Sequence, residues 1–377
     1  MPPAKVLVVD DSALMRQLIS KMLGNYKDIR VIGTAVNGQD ALDKIKALEP
    51  DVVTLDVEMP VLDGLAALRR IMRECPLPVI MCSTLTSLGT RATIEALTFG
   101  ALDFVTKPTG PSKLNPMVEE LAGKIKVAVA VPLSRFTRRP LNVAGPLKPK
   151  PAGVGGTAAD SGRRADRPAP AAERGKPVLP AGRFAGRTRI VVIGCSTGGP
   201  AALQQVVPVL PRDFPVPVVV VQHIPAGFSK PLAEHLDRKS HLEVRHAEDG
   251  DLIKAGRVLV APAGFDLTFR DRGGSVAVVL DKGSAPLPPG GFRPSVDGVM
   301  TSAARMFGDS TVGVLMTGMG RDGARGMKEI KNYKGRTIAE AESSCVVYGM
   351  PRAAVEAGAA DRVTPLPQIA QEIINII

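Results

Sequence analysis

Two groups of residues in this chain have types and spacings suited to chemistry. The first surrounds Gly194-Cys195-Ser196-Thr197-Gly198, a G-x-S-x-G between a β-branched run, Arg189 to Ile193, and a helical stretch opened by Pro200. Such a turn lifts a serine hydroxyl clear of a sheet and against a helix N-terminus, which suits a nucleophile and equally an anion-binding loop. His223 follows the apolar run Val216 to Gln222, and Asp322 follows another, Val312 to Met316. If these runs are parallel strands of one sheet, Ser196, His223 and Asp322 share its carboxyl edge, as a hydrolytic triad requires. His223 would take the Ser196 proton, Asp322 would fix the imidazole tautomer, and backbone N–H groups at Thr197 and Met319 would face an oxyanion.

Three other histidines compete for the base role. His235 falls inside a helical pattern, His241 in a polar turn, and His246 in a strand, where a structural histidine is expected. The loop carrying Asp322 also reads as G-x-G-x-x-G, Gly318 to Gly323, with Glu340 near the place of a ribose-binding acid. That dinucleotide reading is opposed by its late position in the domain, and it leaves Ser196 and His223 without a task.

The second group is Asp10, Asp11, Asp56, Ser83 and Lys107, each at the end of an apolar run. Three carboxylates at one rim repel unless a hard cation sits among them, and Mg²⁺ takes carboxylate and phosphate oxygens. A cation there would prepare Asp56 to attack a phosphoryl group, with Lys107 pairing to a phosphoryl oxygen and the Ser83 hydroxyl closing on it.

Both groups need α/β scaffolds. Residues 1–128 alternate five apolar runs with five periodic helices, which predicts a flavodoxin-like, five-stranded parallel sheet. Residues 189–377 predict a second doubly wound, mainly parallel α/β domain with a β-hairpin turned by Gly273-Gly274. Residues 129–188, rich in Pro, Gly and Arg, predict a disordered tether. From Pro132 to Arg189 the chain holds ten Arg and three Lys against Asp160, Asp166 and Glu173, so this stretch carries most of the net charge of +11.

With 3% aromatic residues and no Trp, stacking platforms for nucleic acid are not expected. Cys75, Cys82, Cys195 and Cys345 lack zinc spacing and read as reduced, mostly buried thiols. Without a signal peptide or an apolar run near the ~20 residues of a membrane span, a cytoplasmic protein without membrane insertion is expected.

Through VLVVDDS, TLDVEMPVLDG, VIMCST and DFVTKP, residues 4–128 resemble the receiver domain of two-component response regulators. The resemblance implies that a chemotaxis histidine kinase phosphorylates Asp56, with Asp10 and Asp11 holding Mg²⁺, and that Phe104 is the aromatic that rotates on phosphorylation. Through IGCSTGGP, VQHIP, APAG, RPSVD, LMTGMGRDG and SCVVYGMP, residues 189–377 resemble the catalytic domain of the CheB-type protein-glutamate methylesterases. This implies hydrolysis of glutamate methyl esters, and deamidation of certain glutamines, on chemoreceptors. Ser196, His223 and Asp322 then fall on the triad, Thr197 and Met319 on residues assisting the oxyanion, and no cofactor is needed for hydrolysis. Cys195 departs from the family's usual Ala, and a thiol there would be open to oxidation or alkylation. A non-catalytic adaptor is the alternative, and labelling of Ser196 by a fluorophosphonate separates the two.

Overall fold

The computed structural model describes residues 2–108, 110, 114–132, 189–283 and 292–377. Residues 133–188, most of the expected tether, lie outside the described residues.

The first α/β unit runs β1 (Ala4–Val9), α1 (Ala13–Leu23), β2 (Ile29–Ala35), α2 (Gly38–Leu48), β3 (Val52–Asp56), α3 (Gly64–Glu74), β4 (Val79–Ser83), α4 (Ser87–Thr98), β5 (Asp103–Thr106) and α5 (Leu114–Ala130). The strand order is β2-β1-β3-β4-β5, all parallel. Local sequence starts the helices: Ser12, Asn37, Asp63 and Thr86 each cap a first turn by accepting from an N–H three residues on. Because β1, β3 and β4 end side by side, their terminal Asp and Ser residues share one rim.

The second unit runs β6 (Ile190–Cys195), α6 (Gly199–Val206), β7 (Val218–Gln222), α7 (Ser229–Asp237), β8 (Glu243–His246) and β9 (Arg257–Val260). It continues through β10 (Asp266–Asp271), β11 (Val276–Asp281), α8 (Val296–Phe307), β12 (Thr311–Leu315), α9 (Ala324–Asn332), β13 (Arg336–Glu340), α10 (Met350–Glu356), β14 (Arg362–Thr364) and α11 (Leu366–Ile376). A seven-stranded parallel sheet has the order β14-β13-β12-β6-β7-β9-β8, and the β10-β11 hairpin stands apart from it. The order reverses between β6 and β12, so a crevice opens beyond their carboxyl ends, where doubly wound sheets bind ligands.

Strand periodicity decides what each face of this sheet packs against. Ile190, Val192, Val219 and Val221 face α8, α9 and α10, while Val191, Ile193, Val218 and Val220 face the side of α6, α7 and α11. The second cluster does not stop at the domain's edge; it runs on into the core of the first unit, which includes Leu55, Met81, Ile94 and Phe104. At the seam the Phe104 and Phe228 rings lie 4.4 Å apart, tilted by 44°. Both rings are buried, and Arg91 faces Glu234 at 3.8 Å nearby.

Among the described residues no helix is long and apolar enough to cross a membrane. All four cysteines are free.

Candidate active site

The turn after β6 takes three residues, Ser196 to Gly198, before α6 begins. Its left-handed position is Gly198, at φ 80°, so the chain reverses on a glycine and Ser196 itself carries no positive φ. Backbone bonds tie the turn to both neighbouring strand ends. Ser196 N–H donates to Thr317 O at 3.0 Å, and His223 N–H donates to Cys195 O at 3.0 Å. The three strand ends that carry Ser196, His223 and Asp322 are thereby brought to one edge.

His223 Nε2 lies 2.9 Å from Asp322 Oδ2. With the proton of that bond on Nε2, the lone pair sits on Nδ1, which is buried and has no hydrogen-bond partner. No hydrogen bond joins Ser196 Oγ to the imidazole in this structure. Two of the three groups are therefore engaged with each other, and the third lies on the neighbouring strand end. Phe292 stacks on the outer face of the imidazole, with centroids 4.1 Å apart and planes within 7°, and shields it from water.

Asp322 is held by more than the sequence indicated. Its Oδ1 accepts from Ser295 Oγ at 2.9 Å and Asp297 N–H at 3.0 Å, and its Oδ2 accepts from Val296 N–H at 2.8 Å. These donors are the N-terminus of α8, where N–H groups and the helix dipole favour an anion. Burial works against the charge, but the bonds from His223, Asp297 and Val296 outweigh it and hold the carboxyl at about 2. A depressed pKa keeps the carboxylate ionised until the pH approaches that value. The acid limb of kcat/KM should therefore have unit slope down to about pH 4; a second ionisation there would show that Asp322 takes a proton earlier.

The N–H groups of Thr197 and Met319 donate to no protein group among the described residues. The Thr197 hydroxyl is not free. It donates at 2.5 Å to Asp103 Oδ2, on β5 of the receiver, while Asp103 Oδ1 pairs with Lys124 at 3.1 Å. Nothing local in the sequence marks this contact, which spans two domains.

The structure accounts for the other residues that the sequence singled out near the site. Cys195 is fully buried, burial pushes its thiol pKa up, and its S–H is engaged by Gln222, so the anticipated reactive thiol is corrected to an inert one. Glu340 is also buried, accepting from Thr317 N–H and Ser344 Oγ, and cannot serve a ribose. His246 Nε2 meets Ser229 Oγ at 3.0 Å, a structural bond between α7 and β8.

In the receiver, Asp10, Asp11 and Asp56 bring carboxylate oxygens within 4.8 Å of one another, a hard-oxygen set that fits a divalent cation. Lys107 Nζ lies 2.7 Å from Asp10 and 2.6 Å from Asp56. Burial pushes the Asp56 carboxyl up to about 6 against the pull of Lys107. Ser83 Oγ bonds instead to Gly89 O at 3.2 Å and receives Thr93 Oγ1 at 2.7 Å, so in this structure it is turned toward α4.

Residues 191–373 match the family described as CheB methylesterase, and residues 6–119 match the response regulator receiver domain. The protein-glutamate methylesterase/protein-glutamine glutaminase 1 of Carboxydothermus hydrogenoformans is 46% identical over 369 residues, 98% of each chain. The chain belongs to the CheB methylesterase family. A second CheB relative, the protein-glutamate methylesterase/protein-glutamine glutaminase of Symbiobacterium thermophilum, is 46% identical over 378 residues, 100% of this chain and 97% of its own. The crystal structure of the Thermotoga maritima CheB methylesterase catalytic domain is 44% identical, covering 50% of this chain and 99% of that one with a TM-score of 0.49. CheB membership makes this chain a carboxylic ester hydrolase joined to a receiver.

Proposed function

We propose that this enzyme hydrolyses glutamate methyl esters, and deamidates selected glutamines, on chemoreceptors through a Ser196–His223–Asp322 acyl-enzyme, under control of phosphorylation at Asp56. The observation that carries the chemistry is the His223 Nε2–Asp322 bond, which leaves a buried, unpaired Nδ1 beside the nucleophile turn. Rotation of the Ser196 side chain brings Oγ to Nδ1, which takes its proton as Oγ bonds to the ester carbon. The N–H groups of Thr197 and Met319 receive the oxyanion, the imidazolium returns the proton to the leaving methoxide, and methanol departs. Water then attacks the serine ester by the same base and frees the glutamate. A glutamine side chain follows the same course with ammonia as leaving group.

Control is supported by where the receiver sits. Asp103 engages the hydroxyl of the residue next to the nucleophile, and Phe104, the next residue, packs on Phe228. Asp103 thereby ties up the hydroxyl beside the nucleophile and anchors the receiver against the nucleophile turn. Asp10, Asp11 and Asp56 would hold Mg²⁺, which when bound offsets charge on the incoming phosphoryl group. The phosphodonor is a chemotaxis histidine kinase, and the cytoplasm is the compartment in which kinase and receptor tails meet.

The test is methanol release from methylated receptor fragments, with and without a small phosphodonor. Asp56→Asn should keep basal release and lose the stimulation. Asp103→Ala should raise basal release about tenfold without phosphodonor and shrink the stimulation, since ~1.4 kcal/mol of relieved inhibition is tenfold in rate. Unchanged basal release in Asp103→Ala would remove this contact from the control.

A further inference from the structure

Gln222 ends β7 opposite Cys195 in the parallel ladder, and its side chain folds back over the two strand ends. Its Nε2 donates to Ser196 O at 2.9 Å and to His223 O at 2.8 Å, and its Oε1 accepts from the Cys195 thiol at 3.0 Å. The side chain is buried, so both N–H bonds and the carbonyl are spent inside the protein. Carbonyls only accept, which fixes the amide's orientation with nitrogen toward them. The packing is tight on the opposite side: a Cβ at Gly199 would lie 2.0 Å from Gln222 Oε1.

The two carbonyls belong to the nucleophile and to the base. Ser196 is pinned at its N–H by Thr317 O and at its carbonyl by both Gly199 N–H, at 2.8 Å, and Gln222. His223 is pinned at its N–H by Cys195 O and at its carbonyl by Gln222. One nitrogen atom therefore ties the carbonyls of the two residues together, adding to the backbone bond from His223 N–H to Cys195 O.

We infer that Gln222 is a positioning residue for ester hydrolysis, its carboxamide fixing Ser196 relative to His223 so that a single rotamer change closes the catalytic hydrogen bond. The inference rests on the Ser–His–Asp reading. Few side chains can replace it: Met fills the volume without a donor, and ionised Glu presents oxygens to two carbonyls. A displacement of about 1 Å between reacting groups is worth roughly 100-fold in rate.

The experiment uses the full-length protein with a small phosphodonor, following methanol release from methylated receptor fragments. Gln222→Met should lower kcat by 30- to 100-fold with KM within twofold. In a His223→Ala background the same change should lose less than threefold, because no base remains to be aligned. Equal losses in both backgrounds would mean a merely structural role and overturn the inference. Should Gln222→Met not fold, Gln222→Glu serves, since its acid form keeps one O–H donor and its ionised form none. Its activity relative to wild type should fall at least tenfold from pH 5 to pH 9, and a constant ratio would overturn the inference. If His223→Ala alone stays within tenfold of wild type, the fault lies with the triad reading and not with Gln222.

Discussion

Replacing Ser196 by Ala should reduce methanol release from methylated receptor fragments by about 10⁴- to 10⁶-fold, the range for loss of a serine nucleophile. Phosphorylation of Asp56 should continue at the wild-type rate. The size of the loss follows from the route: without Oγ no ester bond to the enzyme forms, and only the Thr197 and Met319 N–H groups and substrate binding remain to help water. Ser196 lies in a turn anchored by backbone bonds, so loss of its hydroxyl leaves the turn intact. The variant should therefore melt within a few degrees of wild type and should not be labelled by a fluorophosphonate. Turnover within tenfold of wild type would remove Ser196 from the mechanism.

Asp322→Asn should lower kcat by roughly 10⁴-fold, through the tautomer rather than through charge alone. Donors surround this carboxylate: Ser295 Oγ, the N–H groups of Val296, Asp297 and Gly323, and His223 Nε2. An amide NH₂ has no acceptor on either side. Placed toward His223, it forces Nε2 to accept, which moves the imidazole proton to Nδ1 and removes the lone pair the serine needs. Stability should fall as well. Lowering the carboxyl from its ordinary 3.8 to about 2 corresponds to roughly 2 kcal/mol, present above the ordinary carboxylate range and lost as pH falls through about 2. The difference in urea midpoint between Asp322→Asn and wild type should accordingly narrow as pH drops from 5 to 3. A difference that stays constant over that range would mean that the carboxylate's charge contributes nothing to folding.

The residues at strand ends were legible in the sequence because parallel strands, as continuous apolar runs, mark their own carboxyl termini. Asp10, Asp56 and Ser83 on one sheet, and Ser196, His223 and Asp322 on the other, are placed by that rule. Their second neighbours were not. Ser295 carried a helix-start signal, but nothing local told that α8 would aim its N-terminus at Asp322. Gln222 read as the last residue of an apolar strand, because the use of a carboxamide depends on which carbonyls the fold brings to it. Asp103 and Phe104 read as receiver residues alone, since their partners Thr197 and Phe228 lie across a stretch of about sixty residues for which sequence order gives no geometry. The burial expected of the thiols holds for Cys195, and the engagement of its S–H by Gln222, which composition does not reveal, closes it to oxidation.

The aromatic seam between the two domains bears on how the proposed control would reverse. Any opening driven by the phosphoryl group must wet the Phe104 and Phe228 rings, and burial of one phenylalanine side chain is worth about 1.5–3 kcal/mol. Under the proposed control, loss of the acyl phosphate from Asp56 would let the halves re-engage without any outside agent. The lifetime of that phosphate would then time each burst of demethylation.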